Sequence, residues 1–337
     1  MLNSDNQLIL ISPRRYGKSS LIFKTVAELN RPVIALDMQL IMSEQDLASM
    51  MLKRIYKTFP FEQIRQFVKH FRVLPTVSVN PLTNEVDVSF KASAEHQVLF
   101  EDVLNLFEKL SRNNNRLIVI FDEFQEIKKI NSSLFNQFRS VMQHHQKVNY
   151  VFLGSQEAML KEIFEKKQSP FYHFGWVMSL DKIPENEFLN YLSNHLNAFT
   201  EAGQTIAQQV LEITHSHPYY TQQLAYVVWE RARDNHKSKM LVENAVEEII
   251  NIHDIDYERV WMTFNQSDKK MLIGLAFSDL SPLSTAFLTA YDLGASSTAF
   301  SCIKRLSETG YLTKVKSTYE IDDPFFRLWI RKRRNAL

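Results

Sequence analysis

Apolar positions in the first half of the chain fall into short dense runs separated by longer stretches of helical period, and the two patterns predict different elements. QLILIS (7–12), RPVIALDM (31–38), RLIVIFDE (116–123), VNYVFLGS (148–155) and WVMSLDKI (176–183) predict strands, the densest of them covered on both faces as in a parallel sheet. Residues 19–29, 43–58, 95–111 and 131–145 predict amphipathic helices. Val98, Leu99, Val103, Leu106, Phe107 and Leu110 mark the apolar face of one of them. RVLPTVSVNPLTNEVDVSF (72–90) alternates polar and apolar residues instead and predicts a β-hairpin excursion turning at 80–84. From Pro184 the pattern becomes wholly helical, and after about Phe264 it changes again to three short helices and a small hairpin, YLTKVKSTYEID. Ser267, Ser281 and Ser296 stand where helix N-caps are expected in this last part. The pattern divides the chain into an α/β part (1–183), a helical part (184–263) and a winged helix-turn-helix (264–337).

Composition narrows this little. The 337 residues are 45% hydrophobic and 23% charged, which excludes a disordered or low-complexity chain and suits two or three domains. With 39 Lys+Arg against 38 Asp+Glu, the formal charge of +1 pulls the molecule toward neither nucleic acid nor an anionic membrane. The apolar run 117–121 is far shorter than the ~20 residues that span a bilayer. The first residues lack the basic start of a signal peptide, and a single cysteine fits a reducing compartment. A cytoplasmic protein without a membrane segment is expected.

The chemistry is concentrated where strands end. SPRRYGKSS (12–20) lies between a strand and a helix start and carries Gly17-Lys18-Ser19 of the phosphate-binding loop pattern, with Ser12 in place of the first glycine. Such a loop needs backbone N–H groups wrapped around a phosphate at a helix N-terminus. Lys18 would bridge the β- and γ-phosphates, and the Ser19 hydroxyl would hold Mg²⁺. Gly17 lets the backbone approach closely. The run LIVIF then delivers Asp122 and Glu123 to the end of a buried strand, where Asp122 would hold Mg²⁺ through water and Glu123 would polarise the attacking water. Ser155 ends a further strand, expected beside that one, and could touch the γ-phosphate; Gln156 is an equally placed donor.

These motifs, with HPYY-x-QQLA at 217–225 and DPFFRLWIRK at 323–332, resemble the archaeal/bacterial P-loop ATPase family of the AAA+-like and STAND type. The resemblance covers essentially the whole chain. It implies a P-loop NTPase core with a parallel sheet between helix layers, a helical lid and a C-terminal winged helix, with ATP and Mg²⁺ as ligands. Pro13, Arg14, Arg15, Tyr16, Gly17, Lys18, Ser19 and Ser20 match the nucleotide-binding loop, and Asp122-Glu123 match the carboxylate pair. His217-Pro218 match the lid motif, whose proline, Pro218, is expected near the nucleotide base. Three departures stand out. Ser12 is compatible with the loop if its φ is negative. The first strand begins almost at Met1, where relatives carry a further stretch that partly grips the base, so a truncated start is expected. PFYHFGW, with His173 and Phe174, stands where relatives often carry an arginine.

The resemblance implies an ATPase acting as a nucleotide-dependent switch on an unknown protein partner. The rivals are an ATP-regulated DNA-binding protein and a nucleotide-binding scaffold with negligible turnover. Between Phe264 and Ile330 seven basic residues face seven acidic ones, so only the tail Arg331-Lys332-Arg333-Arg334 makes the winged helix basic. Apart from that tail, Lys304, Arg305, Lys314 and Lys316 are what its third helix and wing offer to phosphates. Cys302 lies on an amphipathic helix with Phe300, Ile303 and Leu306 and reads as core.

Overall fold

The computed structural model describes residues 2, 6–80, 86–90, 96–234, 240–315 and 318–334. The chain divides into two compact units, 1–181 and 182–337.

The first unit is built on five parallel strands, β1 (Leu8–Ile11), β2 (Val33–Asp37), β5 (Leu117–Asp122), β6 (Val148–Gly154) and β7 (Trp176–Ser179), in the order β2-β5-β6-β1-β7. Alternation along each strand sends successive side chains to opposite faces. Ile9, Ile11, Val119, Phe121, Tyr150 and Phe152 share one core with α2 (Glu44–Thr58), α4 (His96–Leu110) and α6 (Leu134–Met142). Leu8, Leu10, Ile118, Ile120, Val151 and Leu153 face the other way and bury Ile22 and Val26 of α1 (Lys18–Glu28). The expected sheet between helix layers is therefore present, and dense apolar runs form its central strands because both faces are covered.

Local differences have local causes. A helix missing from the sequence reading, α3 (Phe61–Val68), follows Pro60; its apolar Phe61, Ile64, Phe67 and Val68 have helical spacing but span only eight residues, short of the window in which a period is normally read. The helix expected over 131–145 is shorter, and is preceded by a 3₁₀ turn (Phe124–Glu126) and by α5 (Ile127–Ile130). β3 (Thr76–Val79) and β4 (Val86–Ser89) form the expected antiparallel hairpin; residues 81–85 of its turn lie outside the described residues.

The second unit runs from α8 (Glu185–Leu196) through α9 (Gly203–Thr214), α10 (Pro218–Arg233) and α11 (Leu241–Thr263) into α12 (Gln266–Phe277), α13 (Thr285–Ala290), α14 (Ser296–Glu308), the hairpin β8–β9 (Leu312–Val315 and Thr318–Ile321) and α15 (Pro324–Arg333). Helix, helix, helix, wing and closing helix are the winged-helix order. One buried cluster runs from Phe188 in α8 to Ile330 in α15. Two of the caps expected here are displaced. Asn265, not Ser267, caps α12 by accepting from the Asp268 N–H, and Ser284, not Ser281, caps α13 by accepting from the Phe287 N–H. At α14 the cap position is Ala295, one residue before Ser296, with no side-chain hydrogen bond. An N-cap needs extended backbone with its side chain over the first turn, and Asn265 and Ser284 meet that condition.

The basic tail is folded onto α11. Arg333 pairs with Asp254 at 2.8 Å, Lys332 with Glu247 at 3.1 Å and Arg334 with Glu258 at 2.6 Å. Arg334 also lies 4.8 Å over the Trp329 ring, and Arg331 donates to the Ala276 carbonyl. Of the other cations considered for phosphate contact, Arg305 is held by Asp268 at 2.6 Å and Lys304 stands 4.0 Å from Glu308. Lys316 lies outside the described residues.

Candidate functional site

The site forms at the C-terminal ends of β1, β5 and β6, the edge where open α/β sheets bind their ligands. β6 lies between β1 and β5, so the loop after β1 and the carboxylates after β5 converge across it. Ser12, 1% exposed, has a negative φ and hydrogen-bonds the Gly154 carbonyl through its N–H at 3.4 Å. The loop then turns through Arg15 at φ 65° and Gly17 at φ 87°. A side chain at Gly17 would be strained by that φ alone. Pro13 is half-buried, Arg14 and Arg15 are exposed, and Tyr16 is buried.

Helix α1 begins at Lys18 with no side-chain cap, which leaves its first N–H groups open to an anion. Lys18 is only 6% exposed, and its ammonium stands 3.8 Å from Glu123 Oε1. Burial lowers its pKa from the ordinary lysine value, against the opposing pull of Glu123 and Asp122. Ser19 Oγ donates to Asp122 Oδ2 at 2.7 Å, and the neighbouring Ser20 is exposed. A hydroxyl and a carboxylate in contact are hard oxygen donors, the set Mg²⁺ prefers, so these residues fit that ion.

Glu123 sits at φ 51°, in the left-handed region, where β5 gives way to the 3₁₀ turn. Its Oε2 accepts from the Ser155 hydroxyl at 2.7 Å, the Ser155 N–H at 3.1 Å and Gln125 Nε2 at 2.5 Å. Burial by itself would raise the Glu123 carboxyl, but the Gln125 and Ser155 donors and the Lys18 charge together hold it below the usual glutamate value. Phe124 anchors the turn. It is wholly buried, with its ring 4.5 Å from that of Phe152 on β6.

The structure thus brings Lys18, Ser19, Asp122, Glu123 and Ser155 into one hydrogen-bonded and charged cluster. Gln156, the alternative donor, is turned away to Glu126 at 3.3 Å. Pro218 belongs to the second unit, where it opens α10. Gln125 was not foreseen, since a polar residue inside a turn ordinarily reads as solvated. A further cleft of about 780 Å³, lined by Gln7, Arg139, Phe174 and Trp176 among others, opens at the starts of β1 and β7, at the sheet edge opposite the phosphate-binding loop. His173 lines it too, beside Phe174, whose ring carries the Arg139 guanidinium at 4.8 Å.

Residues 2–224 match the model of an ATPase domain predominantly from Archaea, and residues 255–332 match that of a probable winged helix domain. Among solved structures, a Walker-type ATPase of Pyrococcus abyssi is similar over 98% of this chain and 92% of its own, with 17% identity and a TM-score of 0.65. The ORC2 protein of Aeropyrum pernix, solved as ADPNP–ADP complexes, is similar over 98% of this chain and 89% of its own, with 13% identity and a TM-score of 0.56. No curated protein matches the chain.

Proposed function

This chain belongs to the family of ATPase domains found predominantly in Archaea, and we propose that it is an ATP-hydrolysing switch whose nucleotide state is read by its helical and winged-helix unit. The observation that carries the reading is the convergence of the α1 N-terminus with Asp122 and Glu123 across β6, with Ser19 already on Asp122. ATP would lay its phosphates along the loop 12–19, over the open N–H groups of α1. Lys18 supplies positive charge to the β- and γ-phosphates from a site shielded from water, where a charge-assisted contact is strong. Ser19 and Asp122 would hold Mg²⁺. The ion supplies neutralisation of the charge that develops on the phosphate oxygens.

Glu123 is kept ionised by its donors, so it can orient a water molecule and accept its proton as the water attacks the γ-phosphorus. Phosphate leaves with ADP as the other product. Ser155, hydrogen-bonded to Glu123 in this structure, lies where loss of the γ-phosphate would be felt. Pro218, opening α10, is assigned to the base. The division into a core at 1–183, a lid at 184–263 and a winged helix at 264–337 belongs to the same reading. The pairing of Arg305, Lys332, Arg333 and Arg334 with carboxylates supports a winged helix that works through protein contacts rather than as a duplex reader, because these four cations are already matched by nearby acids.

Glu123→Gln tests the chemistry. The variant should bind ATP as wild type does and hydrolyse it about 10²–10⁴-fold more slowly, the usual cost of losing a positioned base. Calorimetry and single-turnover hydrolysis measure the two separately, and wild-type hydrolysis by the variant would assign the base elsewhere. A wild-type protein that retains ADP and releases no phosphate would indicate a scaffold instead.

A further inference from the structure

Gln125 is 0% exposed, yet it carries an amide two residues beyond the carboxylate pair. Burying an amide is costly unless its groups are hydrogen-bonded. Only one end of this amide is. Nε2 donates to Glu123 Oε2 at 2.5 Å, whereas Oε1 is buried with no hydrogen-bond partner among the described residues. An apolar side chain of the same length would fill the space without that cost, so packing does not account for a glutamine.

The neighbouring strand makes room for it. A Cβ on Gly154 would stand 2.3 Å from Gln125 Oε1 and 2.4 Å from Leu160 Cδ1, so β6 is bare of a side chain where the amide crosses it. Gly154 is also one of only seven glycines in the chain. At the other side, the Phe124 ring on Phe152 fixes the turn from which Gln125 projects.

We propose that Gln125 is a positioning residue that sets which oxygen of Glu123 is available for catalysis. The inference rests on the reading of Glu123 as the base. With Gln125 and both groups of Ser155 donating, three hydrogen bonds converge on Oε2. Oε1 is left facing the Lys18 ammonium at 3.8 Å, on the side where phosphate would bind. Once Lys18 turns to a phosphate, Oε1 is the oxygen free to take the proton from water. Without Gln125, the Glu123 side chain would keep Ser155 but could rotate about that contact, and its ionised form would lose a donor.

Gln125→Met, made in the full chain, keeps the length of the side chain and removes the donor. ATP affinity should stay within about twofold of wild type, while kcat falls by about tenfold or more, as expected when a hydrogen bond to a charged group is lost. The melting temperature of the nucleotide-free Met variant should stay within a few degrees of wild type, because the unpaired buried carbonyl is removed along with the donor. A lowered kcat at unchanged KM and unchanged melting is the split that a merely structural role would not give. Wild-type kcat in Gln125→Met together with an inactive Glu123→Gln overturns the positioning role alone. Wild-type hydrolysis by Glu123→Gln overturns the base assignment and this inference with it.

Discussion

The Ser19 hydroxyl, on the first turn of α1, and the Asp122 carboxylate, at the end of β5, are in hydrogen-bond contact at 2.7 Å. The contact joins two motifs separated by most of the first unit in sequence, and places two oxygen donors where a divalent ion would enter with ATP. Asp122→Ala and Ser19→Ala should each weaken ATP binding in the presence of Mg²⁺ by about tenfold, equivalent to about 1.4 kcal/mol. Binding measured in EDTA should be nearly unchanged. Equal losses with and without Mg²⁺, by calorimetry, would show that the pair does not serve the ion.

Lys18 is held in a buried site at an energetic cost to its charged form, as its lowered pKa records. Lys18→Ala should reduce ATP affinity by about 100-fold or more, about 2.7 kcal/mol. It should leave the melting temperature of the nucleotide-free protein within a few degrees of wild type, because a penalty paid at neutral pH is removed with the ammonium. A variant that binds ATP normally would refute the phosphate role.

The Glu123 carboxyl is depressed below its ordinary value by its donors. Hydrolysis should therefore be insensitive to pH from about 6 to 8 on its acid side, with the falling limb below the usual glutamate range. The linkage to stability has the same sign. Glu123 contributes stability above its unfolded-state pKa, and that contribution is lost as the pH falls through the lower folded value. Glu123→Gln should accordingly flatten part of the acid dependence of thermal melting, and an unaltered acid transition would refute the shift.

Asp254 on α11 accepts from the indole N–H of Trp329 at 2.7 Å and pairs with Arg333. Trp329 is wholly buried, so Asp254→Ala leaves an indole donor without its partner. The variant should unfold at a lower denaturant concentration than wild type, and an unchanged midpoint would show that water replaces the carboxylate. Removing 331–334 should lower stability and do so less at high salt, since the pairs are partly exposed. If the tail instead serves phosphates, its removal will flatten the salt dependence of duplex DNA binding and leave melting untouched.

What could be read from the sequence follows a physical division. Lys18, Ser19, Asp122 and Glu123 were legible because each occupies a fixed offset from a buried strand, and strand ends are announced by apolar runs. The strands themselves were legible for the same reason. α3 was not, since its helical spacing of Phe61, Ile64, Phe67 and Val68 is confined to eight residues. Gln125 was hidden because its role depends on Gly154, which is brought beside it only by the pairing of β5 with β6. The tail was misleading for a similar reason. Its charge was counted along one segment, whereas Glu247, Asp254 and Glu258, which neutralise it, belong to α11.

The sheet order has a consequence for synthesis. β1 is made well before the strands it pairs with, β6 and β7, whose residues lie at 148–154 and 176–179. β2 offers it nothing, since β2 pairs with β5 on the far side of β6. At roughly 5–20 residues per second, a nascent chain carries LILI without a hydrogen-bonding partner for on the order of ten seconds or more. During that interval the phosphate-binding loop has no rigid strand behind it, so nucleotide cannot assist the early steps of folding. A ribosome-bound chain ending before residue 148 should remain protease-sensitive at its N-terminus whether or not ATP is supplied, and protection should appear only when β6 has emerged.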